Sequence, residues 1–510
     1  MPLLSRRGFL AATAGATALA QLPRPSLAQS PIPAPGTTAP IPLRAASRTL
    51  DIDGRAATVW GLAGPSGQGL TLDPGQRFLV DLTNDLDEAT LIHWHGQIPP
   101  NIQDGVPDMP MPKLRPGESR SYDFAAIPGT YWMHAHIPLH EMRLLAAPLI
   151  VHSAADLATD RQEVVMFLHD FSFKTPEEVM EQITGGHAPS GHAGMDHSQM
   201  GHAMGGGTGQ MSGMDHSAMQ GMTGMSGMAS MPGMEGMAGM DLNDFDWDAY
   251  LTNDRTLSDP DVITVERAGR VRLRIINGAA ATVFWIDTGS LDATLVAVDG
   301  HDVQPLSGNR FGIAMGQRLD LEINLPGSGA WPILARREGA SEQTGLILAT
   351  SGAKVEKLGL TGDKPTAAFD TDLAQEARLV ALAPLAERPL DRGHMLMLGG
   401  SMDPYLWTID GKTWGDHIPV TATSGQRVEL MFHNMSMMGH PMHLHGHTFQ
   451  VVDLNGKRLS GARRDTVYVP PMATVTVALD AGEAARWMLH CHHMPHLETG
   501  MMTEFAVSAA

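Results

Sequence analysis

The segment His490-Cys491-His492, with His496 and Met501 shortly after it, contains the residue types of a metal site. In an extended chain, residues i and i+2 point to one side and residue i+1 points to the other. The two histidines of the segment can therefore bind one metal centre while Cys491 binds a second, joined to the first through the backbone. A thiolate, two histidines and a weak axial methionine are the ligands of a blue-copper electron-transfer site. Cys491, His496 and Met501 would supply three of these ligands, and a histidine from elsewhere in the chain the fourth.

The same histidine spacing occurs in three further segments. They are His93-Trp94-His95-Gly96, His134-Ala135-His136 and His440-Pro441-Met442-His443-Leu444-His445. A histidine-rich surface loop would account for one such segment, but four of them fit a metal cluster held between two domains that each contribute two strands or loops. His440 is the leading candidate for the missing blue-copper ligand.

Taken together, the four segments resemble the copper-binding segments of the multicopper oxidases. They read HWHG (93–96), HAH (134–136), HPMHLH (440–445) and HCHHMPHLETGM (490–501). The resemblance implies four copper ions: a type 1 copper bound by His440, Cys491, His496 and Met501, a type 2 copper bound by His93 and His443, and a type 3 pair bound by His95, His134, His136, His445, His490 and His492. All twelve ligands are present, which argues against the copper-free relatives of the fold.

The resemblance also implies an all-β fold of three cupredoxin-like Greek-key β-barrel domains. We expect domain 1 over residues 45–155, domain 2 over residues 156–352 and domain 3 over residues 365–510. Domain 2 has neither a histidine pair of this spacing nor a cysteine, so we interpret it as a copper-free domain. The alternating apolar residues of 77–82 predict a strand, and Thr175-Pro176 followed by Glu178 predicts a helix to about residue 182.

The overall composition narrows the class of partner and the compartment. A formal net charge of −20 argues against binding to nucleic acid or to an anionic membrane surface, and it favours attraction of cations. The single cysteine excludes an intramolecular disulfide and suits a metal ligand. A length of 510 residues is enough for three or four domains, each with its own core.

The N-terminal segment predicts export. Arg6 and Arg7 precede a short apolar run that ends in small residues at Ala28, so residues 1–28 are expected to be a Tat signal peptide, followed by a linker over residues 29–44. The alternative is a chance Arg-Arg pair before a Sec-type signal. Both alternatives place the mature protein in the periplasm, and the apolar run is too short for stable membrane insertion.

Residues 185–241 differ completely in composition from the rest of the chain. They hold thirteen of the 34 methionines and five histidines, and methionine recurs at every third residue from Met219 to Met240. A helix of 3.6 residues per turn would not keep these side chains on one face, and the frequent glycines disfavour a helix, so we expect a disordered insertion. Thioether sulfur selects Cu(I), which makes the insertion a candidate for binding extra Cu(I). An inert linker is the alternative.

Two carboxyl groups are candidates for proton transfer. Asp104, which precedes Gly105, matches an acidic residue that relays protons to the trinuclear site in relatives; the alternative is an ordinary turn aspartate. In several bacterial relatives a second such acid directly follows the type 1 histidine. Leu497 occupies that position in this chain, and Glu498 one residue later is a candidate that would act by a different path.

Methionines next to His440 are candidates for substrate contact. In periplasmic cuprous oxidases an aspartate and a methionine precede the type 1 histidine by four and two residues. Met438 matches the methionine, whereas Ser436 replaces the aspartate, and Met435 and Met437 lie beside them. Packing in the core is the alternative for this methionine cluster.

The resemblance therefore implies an exported oxidase that takes single electrons at the type 1 copper, passes them along Cys491 to the trinuclear copper cluster and reduces dioxygen to two waters. Cu(I) is the first choice of substrate, with a role in copper tolerance, and phenols or aromatic amines are the second. A periplasmic copper-binding protein without catalysis is the rival from a different class. The twelve ligands count against it, because a binding protein has no need of a type 1 site joined to a histidine cluster.

Overall fold

The computed structural model describes residues 39–185 and 242–510. The predicted signal peptide, most of the predicted linker and residues 186–241 of the methionine-rich insertion lie outside the described residues. Among the described residues, no helix is long and apolar enough to cross a membrane. The described chain is built mostly of strands, which confirms the all-β prediction.

Domain 1 consists of two facing sheets. Its elements are β1 (Ile41–Ile52), β2 (Arg55–Gly64), β3 (Gly67–Gln68), β4 (Leu70–Leu72), β5 (Arg77–Asn84), β6 (Ile92–His95), β7 (Ser119–Ala125), β8 (Gly129–Ala135), α1 (Pro138–Glu141) and β9 (Ala146–Val151). The strand orders are β3-β2-β1-β5-β7 and β4-β9-β8-β6. The predicted strand is present as β5, and its alternate residues Phe78, Val80 and Leu82 are buried in the core between the sheets.

Domain 2 repeats this arrangement, with one more strand in each sheet. Its elements are α2 (Ala154–Ala158), β10 (Gln162–Phe171), α3 (Pro176–Ile183), β11 (Ala249–Thr252), β12 (Asp261–Val265), β13 (Arg270–Asn277), β14 (Phe284–Asp287), β15 (Ala293–Val298), β16 (His301–Gly308), β17 (Arg310–Ile313), β18 (Arg318–Asn324), β19 (Ala330–Arg337) and β20 (Gln343–Thr350). The strand orders are β11-β10-β13-β18-β15-β16 and β12-β20-β19-β14-β17. The predicted helix is confirmed as α3, with reciprocal capping bonds between Thr175 and Glu178.

Domain 3 has the same order of strands. Its elements are β21 (Arg392–Met402), β22 (Tyr405–Ile409), β23 (Val420–Thr423), β24 (Arg427–Asn434), β25 (His440–Leu444), β26 (Phe449–Leu454), β27 (Lys457–Arg458), β28 (Arg463–Arg464), β29 (Thr466–Val469), β30 (Thr474–Asp480), β31 (Arg486–Cys491), α4 (Met494–Glu498) and β32 (Met502–Ser508). One sheet runs β22-β21-β24-β30-β26-β27, with β28 paired to β26, and the other runs β23-β32-β31-β25-β29.

One buried asparagine occupies the same place in all three domains. It ends β5, β13 and β24, each of which is an eight-residue strand that begins with arginine. The side-chain amides of Asn84, Asn277 and Asn434 each donate to backbone carbonyls of the loop that follows and of a second segment. Because a buried amide needs these partners, the asparagine fixes the loop that leads into β6, β14 or β25. In domains 1 and 3 those strands hold the copper-binding sequences.

Candidate metal centre

Two equivalent strand pairs bring eight histidines together between domains 1 and 3. In domain 1, β6 pairs with β8 so that His93 lies opposite His134. In domain 3, β25 pairs with β31 so that His443 lies opposite His490. With the neighbours at i+2, the eight histidines are His93, His95, His134, His136, His443, His445, His490 and His492, and all of them are buried. The structure thus places the two predicted halves of the cluster against each other.

The first group contains His93 and His443. His93 Nδ1 donates to the carbonyl of Asp104 at 2.8 Å, and His443 Nδ1 donates to the carbonyl of Asp465 at 2.9 Å. The proton is therefore on Nδ1 in both rings, and the two Nε2 lone pairs face each other at 3.4 Å. Two imidazole nitrogens that bind one ion at about 2.0–2.1 Å lie about 3.3–3.6 Å apart. The spacing fits a shared metal ion.

The second group contains His136, His445 and His490. Nε2 of His445 lies 3.2 Å from Nε2 of His136 and 3.1 Å from Nε2 of His490. The opposite nitrogens of two of these rings have acceptors: His445 Nδ1 donates to Asp104 Oδ2 at 2.8 Å, and His490 Nδ1 donates to the carbonyl of Cys491 at 2.9 Å. Such outer hydrogen bonds fix the tautomer and orientation of metal-binding histidines.

The third group contains His95, His134 and His492. His95 Nδ1 lies 3.4 Å from His134 Nε2, and the ring of His492 lies 5.0 Å and 5.1 Å from the rings of His95 and His134. Both ring nitrogens of His492 are buried without a hydrogen-bond partner among the described residues. A buried imidazole without partners is costly unless another group binds it. A metal ion would satisfy it.

The blue-copper candidates meet at one point inside domain 3. Nδ1 of His440 and Nδ1 of His496 are 3.2 Å apart, and Cys491 Sγ lies 3.7 Å from each. The carbonyl of Met501 accepts from the amide of Cys491 at 3.0 Å, and its own amide donates to the carbonyl of His496 at 2.9 Å. Met501 is fully buried in the same cluster. A thiolate at about 2.3 Å and two imidazoles at about 2.0 Å from one ion would have this spacing.

Burial keeps the candidate histidine ligands in the neutral form that metals bind, but it disfavours the thiolate form of Cys491. Burial is the largest cause of a lowered pKa at nine of these histidines, so their rings are neutral. The nine are His95, His134, His136, His440, His443, His445, His490, His492 and His496. Burial also raises the pKa of the Cys491 thiol. A metal ion must therefore displace the thiol proton when it binds.

Two aspartates each contact two histidines of the cluster. Asp104, the predicted one, bonds His445 and is buried; its Oδ1 lies 3.4 Å from His93 Nδ1 and has no hydrogen-bond partner among the described residues. Sequence reasoning missed Asp465, whose Oδ1 accepts from His95 Nε2 at 3.1 Å. Arg318 of domain 2 is fully buried and donates to both oxygens of Asp465. The three consecutive charged residues 463–465 before the apolar strand β29 were the available signal.

Two further carboxylates contact ligand histidines and were missed. Glu141 at the end of α1 is buried, with Oε2 2.6 Å from His134 Nδ1. Asp244 Oδ2 lies 3.3 Å from His496 Nε2 and accepts from the hydroxyl of Tyr405. Neither residue lies in a recognisable motif, since each reaches its histidine through the tertiary fold.

The remaining sequence candidates lie farther out. Glu498 ends α4, and burial, together with the charge of Glu177, raises its pKa to about 7. Met438 is buried and lines a partly open cavity of about 20 Å³ with Met315 and His493, which is room for about one water or ion. The ring of His493 stacks on that of the ligand candidate His496, with centroids 3.8 Å apart.

Comparisons with known proteins agree with this geometry. Three family models, each described as multicopper oxidase, match residues 45–156, 197–354 and 387–510, and together they cover more than half of the chain. The chain belongs to the multicopper oxidase family. It is therefore an oxidoreductase with copper cofactors.

The chain is similar to several individual members of the family. It is 29% identical to multicopper oxidase MmcO of Mycobacterium tuberculosis, over 84% of this chain and 79% of that protein. It is 25% identical to copper resistance protein A of Escherichia coli, over 88% of each chain. The crystal structure of a multicopper oxidase from Pseudomonas thermotolerans superposes with a TM-score of 0.63 at 22% identity, covering 92% of this chain and 98% of that one.

Proposed function

We propose that this protein is an exported oxidase that couples oxidation of Cu(I) to reduction of dioxygen to two waters. Four copper ions are expected, one held by His440, Cys491, His496 and Met501 and three by the eight histidines between domains 1 and 3. Copper at these positions supplies one-electron chemistry and the binding of dioxygen. Similarity to a protein named copper resistance protein A supports the choice of Cu(I) as substrate. The twin-arginine signal in the sequence supports export as the choice of compartment.

The observation that carries the choice of Cu(I) is the small cavity beside the type 1 ligands. Met315 and Met438 bring thioethers to it, His493 brings an imidazole, and the Nδ1 of His493 is buried without a hydrogen-bond partner among the described residues. Thioether and imidazole ligands suit Cu(I). The stacked rings of His493 and His496 provide a short route from this cavity to the type 1 ligands.

The same surroundings disfavour direct contact with phenols. His440 and His496 are fully buried, and Asp244 and Tyr405 cover the outer edge of the His496 ring. Phenol oxidation is the second candidate, and in this chain it would need a longer electron-transfer path.

Residues of the chain also support transfer of electrons and protons. His490 Nδ1 donates to the carbonyl of Cys491, so a few bonds join the thiolate to the histidine cluster. Asp104 is proposed to relay protons, because its Oδ1 lacks a partner while Oδ2 accepts from His445. Glu498, with its raised pKa, is the proposed second acid. The methionine-rich insertion is proposed to bind extra Cu(I).

Oxygen consumption by the copper-loaded protein tests the proposal. Addition of buffered Cu(I) should start oxygen uptake, and Met438→Leu should raise the KM for Cu(I) by about tenfold, since it removes one soft donor at nearly constant volume. Met472→Leu, which changes an exposed methionine of a turn, is the matched control. Oxygen uptake with phenols but none with Cu(I) would overturn the choice of substrate in favour of a laccase.

A further inference from the structure

The outer face of domain 3 carries methionines where the fold does not require them. β21 runs parallel to β24, and the side chains of both strands alternate between the core and solvent. Leu396 and Phe432 point into the core, whereas Met395 and Met397 are 61% and 43% exposed. Single exposed apolar side chains are common on protein surfaces, but neighbouring ones on one face form a patch that is more informative.

The register brings four soft donors together on this face. Met395 is paired with Met431, and Met397 is paired with His433. Neighbouring strands lie about 4.8 Å apart and residues i and i+2 about 6.6 Å apart, so each Cα lies about 4 Å from the centre of the rectangle. An extended methionine places its sulfur about 4 Å from its Cα, and a metal ion lies about 2.3 Å beyond a sulfur ligand. Three sulfurs and one imidazole nitrogen can therefore reach one cation above the centre.

Domain 1 shows which residues occupy the equivalent four positions on its own outer face. Counted back from the buried asparagine, Met431 and His433 correspond to Asp81 and Thr83. Asp81 and Thr83 pair with Pro42 and Arg44, and the four residues show the same pattern of exposure as the four in domain 3. The fold and the exposure are thus compatible with ordinary polar residues. Neither the fold nor the degree of exposure therefore explains why domain 3 has three methionines at these positions.

We propose that Met395, Met397, Met431 and His433 form a surface site for a soft monovalent cation, with Cu(I) as its physiological ligand. Thioether and imidazole donors suit Cu(I) and discriminate against hard cations such as Mg²⁺. His433 Nδ1 lies 2.8 Å from Thr474 Oγ1, which orients the ring and leaves Nε2 as the donor to the cation. The strongly negative net charge of the chain favours the approach of a cation.

The site lies next to the segment that supplies a type 1 ligand. β24 ends at Asn434, whose amide holds the carbonyl of Met438, and Ser436 Oγ lies 2.8 Å from His440 Nε2. A cation captured on this face is therefore held on the strand that leads directly to the type 1 loop. A role in supplying Cu(I) rests on the proposed function, whereas binding of the cation does not.

Protection of individual methionines from oxidation tests the site in the full-length, copper-loaded protein. Ag(I) serves as the probe, because it resembles Cu(I) in ligand preference and does not itself change oxidation state. The protein is treated briefly with dilute hydrogen peroxide, and sulfoxide formation is measured at each methionine by peptide mass spectrometry. When the free Ag(I) concentration is about ten times its Kd for the site, about one tenth of the sites remain free. Oxidation of Met395, Met397 and Met431 should then slow about tenfold.

Matched variants separate a joint site from independent methionines. Met431→Leu keeps the volume and the strand, and it should remove the protection of both Met395 and Met397. Met402→Leu, at the exposed end of the same strand, should leave their protection unchanged. Protection of Met395 and Met397 no greater than that of Met402, or protection that survives Met431→Leu, would overturn the site. Protection without Cu(I)-driven oxygen uptake would support the site and contradict the proposed function.

Discussion

Domains 1 and 3 build the same backbone around the type 1 position and fill it with different side chains. In domain 3, the amide of Cys491 donates to the carbonyl of Met501, and the amide of Met501 donates to the carbonyl of His496. These bonds place three candidate ligands side by side. The fourth, His440, lies on the neighbouring strand β25, with its ring nitrogen 3.2 Å from that of His496.

In domain 1 the same bonds connect residues that cannot hold the metal. The amide of Ala135 donates to the carbonyl of Leu145, and the amide of Leu145 donates to the carbonyl of His140. His140 Nδ1 lies 3.1 Å from Thr90 Oγ1, in the place where His496 meets His440. Domain 1 therefore retains one histidine of the site and has threonine, alanine and leucine at the other three positions.

The difference separates what the fold provides from what the residues provide. The fold fixes a loop and two strands so that four side chains meet, in both domains. The electron-transfer site then depends on a thiolate, a second imidazole and a thioether at three of those positions. By contrast, the trinuclear positions are filled alike in the two domains: His93 matches His443, and His134 matches His490.

The largest expected effect comes from making domain 3 like domain 1 at a single position. Cys491→Ala copies Ala135 and removes the sulfur that the blue colour and the electron path require. We expect oxidase activity to fall to background and the intense visible absorption to vanish. The eight other histidines are unchanged, so about three of four copper ions should remain. Activity assay, visible spectrum and copper analysis of the same preparation provide the measurement, and a blue, active variant would refute the type 1 assignment.

A second comparison concerns the paired aspartates. Asp104→Asn removes the carboxylate charge beside His445 and replaces one of the two carboxylate oxygens with an amide group. We expect turnover to fall about 10–100-fold with stability nearly unchanged.

Asp465→Asn leaves the buried guanidinium of Arg318 without its main partner, so we expect a loss of about 3–5 kcal/mol in the free energy of unfolding.

Turnover and chemical denaturation of both variants measure the two effects. The matched pair serves as its own control, since each variant changes one carboxylate to an amide at the same cluster. Equal stability losses in the two variants would contradict the distinct role of Arg318. Unchanged turnover in Asp104→Asn would contradict the proposed proton relay.

The sequence contained most of the site because its ligands lie at short, regular spacing. The i, i+2 histidines and the segment 490–501 follow from strand and loop geometry, and the structure brings all of them together. Asp244 and Asp465 could not be found in the same way, because each meets its histidine across a domain boundary. Glu141 lies only seven residues after His134, but no spacing rule links a carboxylate at the end of a short helix to a histidine of the preceding strand. Likewise, the correspondence between Ala135 and Cys491 depends on strand register, which the sequence alone does not reveal.

A smaller effect is expected when the axial position alone is made like domain 1. Met501→Leu copies Leu145, so the thiolate and both histidines remain and the protein should stay blue. Loss of a donor to Cu(II) should raise the reduction potential on the order of 60 mV, which is about a tenfold change in a one-electron equilibrium. Redox titration of both proteins measures this. A lower or unchanged potential would indicate that Met501 is not the axial ligand and that Met502 should be tested.

The last comparison concerns Glu498, which lies two residues after His496, where domain 1 has Met142 two residues after His140. Burial raises its pKa from 4.5 to about 7. Because the folded protein binds this proton more tightly than the unfolded chain, the carboxyl contributes most to stability below about pH 4.5, and that contribution is lost as the pH rises through about 7. Glu498→Gln remains neutral, so its free energy of unfolding should exceed that of the unaltered protein by a margin that grows across this range, to at most about 3 kcal/mol. Denaturation of both proteins at pH 5 and pH 8 measures the margin; an equal margin at the two pH values would contradict the raised pKa.

Turnover of the Glu498→Gln variant tests the proposed proton role, which predicts a loss of activity despite the gain in stability.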